Sequence, residues 1–199
     1  MRLAVLASHE GATLQAVLDA VGEGRIAGCV AVVVSNNRES GALRRARAAG
    51  VGAVHLSSVT HPDPGELDRA ILTALTDARA DVVLLAGYMK KLGPDLLGEY
   101  GGRIVNTHPA LLPKFGGKGM YGDRVHEAVL ASRDAETGVS IHLVDAEYDT
   151  GPVLAQCRVP VLAGDSVADL AARVRAREKD FVVEVLGRIA DGELELRKS

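Results

Sequence analysis

The feature that most constrains the fold of this chain is a regular alternation, over its first half, of short apolar runs with longer amphipathic segments. Apolar runs that end in polar or glycine-containing turns are typical of buried parallel strands. Segments with apolar residues three and four apart are typical of helices packed on a sheet. The alternation predicts a Rossmann-like, doubly wound, mostly parallel α/β sheet. The predicted strands are 3–7, 30–35, 53–56 and 81–85, and the predicted helices are 13–21, with Thr13 as its cap, 40–49 and 64–78.

The second half of the chain breaks this alternation. A strand there runs into a glycine-rich stretch, which we predict to be a mobile loop. Two later strands flank the turn Asp149-Thr150-Gly151-Pro152, and they predict an antiparallel hairpin added to the parallel sheet. A long C-terminal amphipathic helix follows, with Ser166 as its predicted cap. In chain order these elements are the strand 103–106, the loop 115–122, a helix at 125–130, the strands 139–144 and 153–159, and the helix 166–189.

Composition bounds the class of protein. With 199 residues, of which 47% are hydrophobic and 25% charged, the chain suits one α/β domain over 1–199. A net charge of −3 indicates no general attraction to nucleic acid or to an anionic membrane. Two cysteines fit a reducing compartment, and no apolar stretch reaches the roughly 18–20 residues of a membrane helix. We therefore expect a cytoplasmic protein without nucleic-acid or membrane partners.

The predicted sheet also indicates where a site would lie, because such sheets bind ligands at the carboxyl ends of their strands. Asn106 and His108 are two residues apart on an extended segment, so both side chains face the same side at that edge. An amide beside an imidazole suits the stabilisation of negative charge on a carbonyl oxygen, and imidazole carries protons near neutral pH. An Asn-x-His pair that only bonds the backbone at a strand end is the alternative.

Two further segments fall at the same edge. The Asp149 carboxylate either accepts backbone N–H groups in its turn or, if the turn folds over His108, favours the imidazolium form. Residues 8–13 form the turn between the first strand and the first helix, whose free N–H groups favour an anion such as phosphate. That turn has neither the dinucleotide-binding pattern nor the P-loop pattern. The six histidines and two cysteines lack zinc-ligand spacing, so we expect no metal.

These segments resemble those of the folate-dependent formyltransferases. The family signature, Asn-x-His-Pro-(Ser/Ala)-Leu-Leu-Pro, is similar to residues 106–113, and the turn that supplies the family's catalytic aspartate is similar to residues 149–152. The folate-side loop of the family is similar to Ala86-Gly87-Tyr88-Met89. The C-terminal part of the members that use glycinamide ribonucleotide is similar to residues 159–161 and to the helix that carries Glu178.

The resemblance implies a formyltransferase fold and a reaction in which an amine attacks the formyl carbon of 10-formyltetrahydrofolate, a co-substrate, without a metal. Asn106 and His108 would stabilise the oxyanion, while Asp149 would keep His108 charged and help to remove the amine's proton through water. The acceptor that the resemblance favours is glycinamide ribonucleotide, which is formylated in purine biosynthesis. Residues 1–100 would form the nucleotide-binding half, and residues 101–199 the folate-binding and catalytic half.

The resemblance also implies which residues contact each small-molecule substrate. The nucleotide phosphate would lie on the first helical turn, with Arg175 in reach, and Glu178 would accept bonds from ribose hydroxyls. The pterin would be held largely by backbone hydrogen bonds. The implied acceptor contacts are Gly11, Ala12, Thr13, Met89, Thr107, Pro109, Arg175 and Glu178, and the implied folate contacts are Met89, Lys90, Lys91, Leu92, Val144, Asp145, Ala146, Glu147 and Asp149.

The phosphate loop departs from the family's usual Ser-Gly-x-Gly-Ser-Asn-Leu-Gln. The chain has Ser-His-Glu-Gly-Ala-Thr-Leu-Gln at 8–15, which replaces a hydroxyl and an amide and brings the charge of Glu10 close to the expected phosphate. This departure keeps open a paralogue that formylates another amine, such as a sugar or a specialised metabolite. A methionyl-tRNA formyltransferase, a formyltetrahydrofolate hydrolase and a non-catalytic formyltetrahydrofolate-binding module are further alternatives. From its relatives we also expect a homodimer.

Overall fold

The strands form one mixed sheet, as the apolar runs predict. In the computed structural model, which describes residues 1–196, the strands are β1 (Arg2–Leu6), β2 (Cys29–Ser35), β3 (Gly52–His55), β4 (Val82–Leu85), β5 (Ile104–His108), β6 (Glu136–Leu143) and β7 (Val153–Pro160). Their order in the sheet is β3-β2-β1-β4-β5-β6-β7. Strands β1 to β5 pair in parallel, whereas β6 pairs antiparallel with both β5 and β7. The predicted parallel sheet with an added antiparallel hairpin is confirmed.

Helices connect most of these strands. They are α1 (Ala12–Gly22), α2 (Gly41–Ala48), α3 (Pro64–Asp77), α4 (Pro94–Tyr100), α5 (Asp123–Ser132) and α6 (Val167–Ala190). The predicted cap of α6 is confirmed, because Ser166 Oγ accepts the Asp169 N–H at 3.2 Å and the Asp169 carboxylate accepts the Ser166 N–H at 3.1 Å. Residues 197–199 of the predicted catalytic half lie outside the described residues.

The predicted cap of α1 is wrong. The helix begins at Ala12, so Thr13 lies inside its first turn, and the preceding Gly11 makes no side-chain cap. Gly11 has a φ of 71°, in the left-handed region that glycine adopts without a steric cost. A Cβ at Gly11 would lie 2.8 Å from Ala42 Cα, so α2 also packs against this glycine. Both features require glycine at this position and leave the first helical N–H groups without a capping side chain.

Helix α4 was not predicted, because the group that caps it lies far away in sequence. Asp68 of α3 accepts the Asp95 N–H at 2.8 Å, in place of a cap from the preceding Gly93. A Cβ at Gly93 would lie 2.1 Å from the Asp68 carboxyl carbon. The start of α4 therefore depends on a contact between two helices and not on a local sequence signal.

The two faces of the sheet carry separate hydrophobic cores, and their division fixes the site's position. Leu3 and Val5 of β1 pack in the core that α1, α2, α5 and α6 complete, whereas Ala4 and Leu6 pack in the core of α3 and α4. The strand order reverses beside β1, because β2 and β3 extend to one side and β4 to the other. Such a reversal opens a crevice at the carboxyl ends of the strands. Within residues 1–196, no helix is long and apolar enough to cross a membrane.

Candidate active site

Asn106 and His108 lie at the carboxyl end of β5, between a parallel and an antiparallel neighbour. Parallel β4 pairs with β5 up to Asn106, and antiparallel β6 places His142 opposite Asn106 and Ser140 opposite His108. His108 is buried and Asn106 is half-buried. Directly opposed residues on antiparallel strands have side chains within contact distance. The switch in strand direction therefore adds polar groups of β6 to the predicted pair.

Both ring nitrogens of His108 face oxygen atoms. Nε2 lies 2.7 Å from the Phe115 carbonyl oxygen, and Nδ1 lies 3.4 Å from Asp149 Oδ2. A neutral imidazole has one N–H, so both nitrogens act as donors only when the ring is protonated. Burial lowers the pKa of His108, and the Asp149 carboxylate and the Phe115 carbonyl oppose that effect. The carboxylate thus favours imidazolium, as the sequence suggested, although burial has the larger effect on the pKa.

Asp149 closes over His108 from the turn between β6 and β7. Its φ of 58° lies in the left-handed region, where Asp and Asn are tolerated better than most residues. Oδ2 accepts the Gly117 N–H at 3.0 Å, so the glycine-rich loop also holds the carboxylate. Burial acts to raise the pKa of Asp149, but contacts with His142 and Gly117 and the charge of His108 lower it below its ordinary value. Asp149 is therefore an ionised partner of the buried imidazole.

His142 contacts both Asn106 and Asp149, and the sequence analysis did not identify it. Its Nδ1 lies 2.8 Å from the Leu143 carbonyl oxygen. Its Nε2 lies 3.1 Å from Asn106 Nδ2 and 3.5 Å from Asp149 Oδ1. Ser140 and His142 alternate with apolar residues from Val139 to Leu143, so both lie on one face of the strand, and this alternation is a signal present in the sequence. Whether this face meets Asn106 depends on the register between β5 and β6, which the sequence does not provide.

Ser140 fixes the segment that follows β5, and it was also missed. Its hydroxyl donates to the Ala110 carbonyl at 2.6 Å and accepts the Leu112 N–H at 2.9 Å. Gln156 of β7 donates from Nε2 to the same hydroxyl at 2.8 Å and to the Leu112 carbonyl at 3.0 Å. These buried bonds hold the chain just after His108 against the hairpin.

The loop of residues 8–13 offers backbone donors. The first bond inside α1 runs from the Gln15 N–H to the Gly11 carbonyl, so the N–H groups of residues 12–14 have no partner within the helix. The Glu10 carboxylate is paired with Arg44 of α2 at 3.1 Å, and the Glu10 carbonyl accepts from Arg45 at 2.8 Å. The guanidinium group of Arg44 therefore compensates the negative charge of Glu10, which we expected to disfavour a phosphate.

Ser8 links this loop to the loop that follows β4. Its hydroxyl donates to Asn36 Oδ1 at 2.5 Å and accepts the Met89 N–H at 2.9 Å, while its own N–H donates to the Gly87 carbonyl at 3.2 Å. Ser8 is buried, whereas Met89 is exposed. Hydrogen bonds of Ser8 thus connect the loop expected to bind phosphate with the loop expected to bind folate.

The expected ribose-binding group lies beside β5. Thr107 Oγ1 donates to Glu178 Oε1 at 2.5 Å, across the gap between β5 and α6. Burial raises the pKa of Glu178, and the bond from Thr107 and the charge of Arg175 oppose that rise. Arg175 is exposed and paired with Asp123 at the start of α5, with Nη2 2.9 Å from Oδ1. The structure therefore brings Thr107 and Glu178 together, next to Asn106, His108 and Pro109.

The two expected folate segments face each other. Lys91 Nζ lies 3.5 Å from Glu147 Oε1 and 5.9 Å from the ring centre of Tyr148. Asp145 Oδ1 accepts the Glu147 N–H at 3.0 Å, which shapes the second segment. In these two segments Lys90, Ala146 and Asp145 are exposed, Val144 is half-buried and Leu92 is buried. Among residues 1–196, no group of three or more His, Cys, Asp or Glu side chains could hold a metal ion.

Comparisons with known proteins agree with this geometry. The sequence profile of the formyl transferase family matches residues 1–186. Phosphoribosylglycinamide formyltransferase of Escherichia coli K12 is 38% identical over 199 residues, which cover 100% of this chain and 92% of that protein. The Mycobacterium tuberculosis H37Rv protein of the same name is 40% identical over 189 residues, covering 95% and 85%. Glycinamide ribonucleotide transformylase 1 of Symbiobacterium toebii superposes with a TM-score of 0.91 at 38% identity, covering 99% and 91%.

The matched span contains every segment of the site described above. It runs from the loop of residues 8–13 through β5 and the Asp149 turn to Glu178 of α6. This chain therefore matches these proteins in sequence and in fold over nearly its whole length. The fold expected from the resemblance is confirmed. The chain belongs to the formyl transferase family and, within it, to the group of the phosphoribosylglycinamide formyltransferases.

Proposed function

We propose that this chain transfers the formyl group of 10-formyltetrahydrofolate to the amine of glycinamide ribonucleotide and thereby forms formylglycinamide ribonucleotide in de novo purine biosynthesis. The observation that carries the proposal is the joining of Asn106, His108 and Asp149 in one polar cluster at the carboxyl edge of the sheet. The relatives that this chain matches over most of their length carry the name of the same activity.

The cluster suits the two charges that develop during formyl transfer. The amine nitrogen bonds to the formyl carbon, and the carbonyl electrons move onto oxygen, where the Asn106 amide and the charged imidazole of His108 stabilise them. Asp149 accepts the amine's proton through a water molecule. The bond from the formyl carbon to N10 then breaks, and N10 takes up a proton. Catalysis rests on positioning and electrostatics, with no covalent enzyme intermediate.

The acceptor is held from the opposite side of the crevice. The backbone N–H groups of Gly11, Ala12 and Thr13 bind the nucleotide phosphate, and those of Ala12 and Thr13 have no partner within α1. Arg175 turns from Asp123 towards that phosphate, because a phosphate dianion is the stronger partner for a guanidinium group. Glu178 accepts bonds from the ribose hydroxyls, and Thr107 holds its carboxylate in place. Met89 and Pro109 border the amine.

The folate lies between the segments 89–92 and 144–149. The ion pair of Lys91 and Glu147 bridges these segments. Lys90 reaches the glutamate tail as a point charge. Backbone groups of these two segments provide most of the pterin's hydrogen bonds. The cytoplasmic location, the homodimer and the absence of nucleic-acid and membrane partners stay predictions.

The pairing of Glu10 bears on the choice of acceptor. The altered loop of residues 8–13, in which Glu10 brings a carboxylate near the expected phosphate, was the best support for a paralogue that acts on another amine. Because Arg44 pairs with Glu10, the loop keeps its capacity to bind an anion. No contact in the described part of the chain favours a sugar or another amine over the nucleotide.

The test is the acceptor dependence of folate deformylation. Purified protein is mixed with a 10-formyl folate analogue, and release of the deformylated folate is followed by absorbance. Glycinamide ribonucleotide is added, omitted, or replaced by glycinamide, which carries the amine without the ribose phosphate. Turnover that requires the nucleotide is the expected result. Turnover without acceptor would indicate a hydrolase, and analogue binding without turnover would indicate another acceptor, so either outcome would overturn the proposal.

A further inference from the structure

We infer that His142 is a positioning residue that orients the Asn106 amide so that its free N–H meets the formyl oxyanion. His142 is 2% exposed and lies opposite Asn106 across the β5–β6 pair. Its Nε2 is 3.1 Å from Asn106 Nδ2. The inference rests on the proposed formyl transfer, because it concerns the charge that this reaction places on an oxygen atom.

The position of the proton on His142 follows from its other contact. Nδ1 lies 2.8 Å from the Leu143 carbonyl oxygen, which can only accept, so Nδ1 carries a hydrogen atom. In the neutral ring Nε2 is then an acceptor. Its partner at 3.1 Å must be a donor, which the amide nitrogen of Asn106 supplies. The neutral ring therefore selects the amide orientation that turns the NH₂ group, and not the oxygen, towards β6.

This orientation has a consequence for catalysis. The Asn106 NH₂ group has two hydrogen atoms, of which one bonds His142 and the other stays available for a ligand. If the amide turned over, its oxygen would face the lone pair of His142, and its NH₂ group would leave the position next to His108. The second contact of Nε2, with Asp149 Oδ1 at 3.5 Å, becomes a hydrogen bond only if His142 gains a second proton. The neutral form is thus the one that prepares the oxyanion site.

The decisive experiment is a double-mutant cycle on the full-length protein. The variants are H142L, which removes the acceptor at similar volume, H142Q, whose amide oxygen reaches about as far as Nε2, N106A, and the double variant N106A/H142L. Turnover of glycinamide ribonucleotide is measured for each variant, and circular dichroism and thermal unfolding check the fold. The positioning role predicts that kcat of H142L falls about 10²-fold while KM for both substrates changes little, because the contact matters in the transition state.

Two further results are expected from the same cycle. H142Q recovers most of the kcat lost in H142L, since an acceptor for the amide is restored. N106A/H142L is no slower than N106A alone, because the positioning role of His142 runs through Asn106, and its longer contact with Asp149, at 3.5 Å, is expected to add little. Losses that multiply in the double variant, or an H142L kcat close to the original, would overturn the inference. Turnover of the original protein is measured alongside, so a failure of the proposed reaction itself would be visible separately.

A second measurement needs no substitution of His142. Nitrogen-15 NMR of the imidazole groups in the original protein reports which ring nitrogen carries the hydrogen atom. We expect His142 with a protonated Nδ1 and a bare Nε2, and we expect the Nε2 resonance to shift in N106A. A hydrogen atom on Nε2 at the pH of the assay would overturn the inference even if H142L did not fold.

Discussion

The loop of residues 8–13 and the cluster of Asn106, His108, His142 and Asp149 lie at the same edge of the sheet, but they present different atoms to their ligands. In the cluster, side chains hold each other at distances from 3.1 to 3.5 Å. In the loop, the donors are backbone N–H groups at the start of α1. The two regions therefore differ in what a substitution can remove.

This difference explains where the sequence departs from the family's usual pattern. Replacing a hydroxyl and an amide in the loop by Ala12 and Thr13 leaves every backbone donor in place. No similar exchange is open to the cluster, because each side chain there also orients a neighbour. We therefore expect substitutions in the cluster to lower kcat strongly and side-chain substitutions in the loop to have little effect.

Asp149→Asn gives the largest expected effect. Asn tolerates the φ of 58° and can still accept from Gly117, so the turn is kept while the charge is lost. We expect kcat to fall about 10³-fold, within the range for loss of a proton-transferring group. Steady-state kinetics with both substrates measures the fall, with thermal unfolding as the control. A loss below tenfold in a folded variant would contradict the assigned role.

Asn106→Ala tests the oxyanion site. Removing one preorganised donor costs about 10²-fold in kcat in comparable sites, and KM for both substrates should change little. The same assay measures this effect. A rise in KM at unchanged kcat would show that Asn106 binds the ground state and not the transition state.

Glu178→Gln separates acceptor binding from catalysis. Loss of charged bonds to ribose should raise KM for glycinamide ribonucleotide about tenfold with little change in kcat. The pKa of Glu178 is raised in the folded state, so its charged form costs stability at neutral pH, and that cost disappears below the pKa of the unfolded chain. Glu178→Gln should therefore raise the unfolding temperature at pH 7.5 but not near pH 4. A lower unfolding temperature at pH 7.5 would contradict this account.

Thr13→Ala has the smallest expected effect. It removes a side chain and keeps the N–H, so KM for the nucleotide should stay within about threefold. The matched control is Gly11→Ala, which must adopt a φ of 71° and approach Ala42 to 2.8 Å. That variant should lose nucleotide binding through displacement of the loop. If Thr13→Ala were as damaging as Gly11→Ala, the distinction between backbone and side-chain donors would be wrong.

The sequence predicted those parts of the fold that depend on local patterns. Apolar runs located the ends of the strands within a residue or two, except that β6 begins three residues before the predicted strand. The spacing of Asn106 and His108 predicted their common edge. Ser166 and its partner three residues later formed a cap that the sequence could indicate. The predicted start of α1 was wrong because Thr13 is a residue type that often caps helices. The helix instead begins after Gly11, whose left-handed backbone conformation precedes Ala12 without a capping side chain.

The parts that the sequence could not predict depend on contacts between distant segments. His142 reaches Asn106 only because β6 pairs with β5 in one register, and a shift by one residue would turn it away. Thr107 meets Glu178 across 71 residues of chain. The cap of α4 comes from Asp68, in another helix. Such contacts follow from the packing of the whole sheet.

The most direct test of the central claim, that Asp149 acts on His108 through its charge, is an NMR titration of His108. Because the carboxylate raises the pKa of His108 against the effect of burial, its removal in Asp149→Asn should lower that pKa further below 6.5. His126, which is also buried, serves as an internal control, because Asp149 is not among the groups that shift its pKa. The charge of His108 does lower the pKa of His126, so a loss of that charge would raise the His126 pKa and not lower it. A selective fall at His108 is the predicted result. An unchanged or higher pKa for His108 in a folded Asp149→Asn variant would contradict the account.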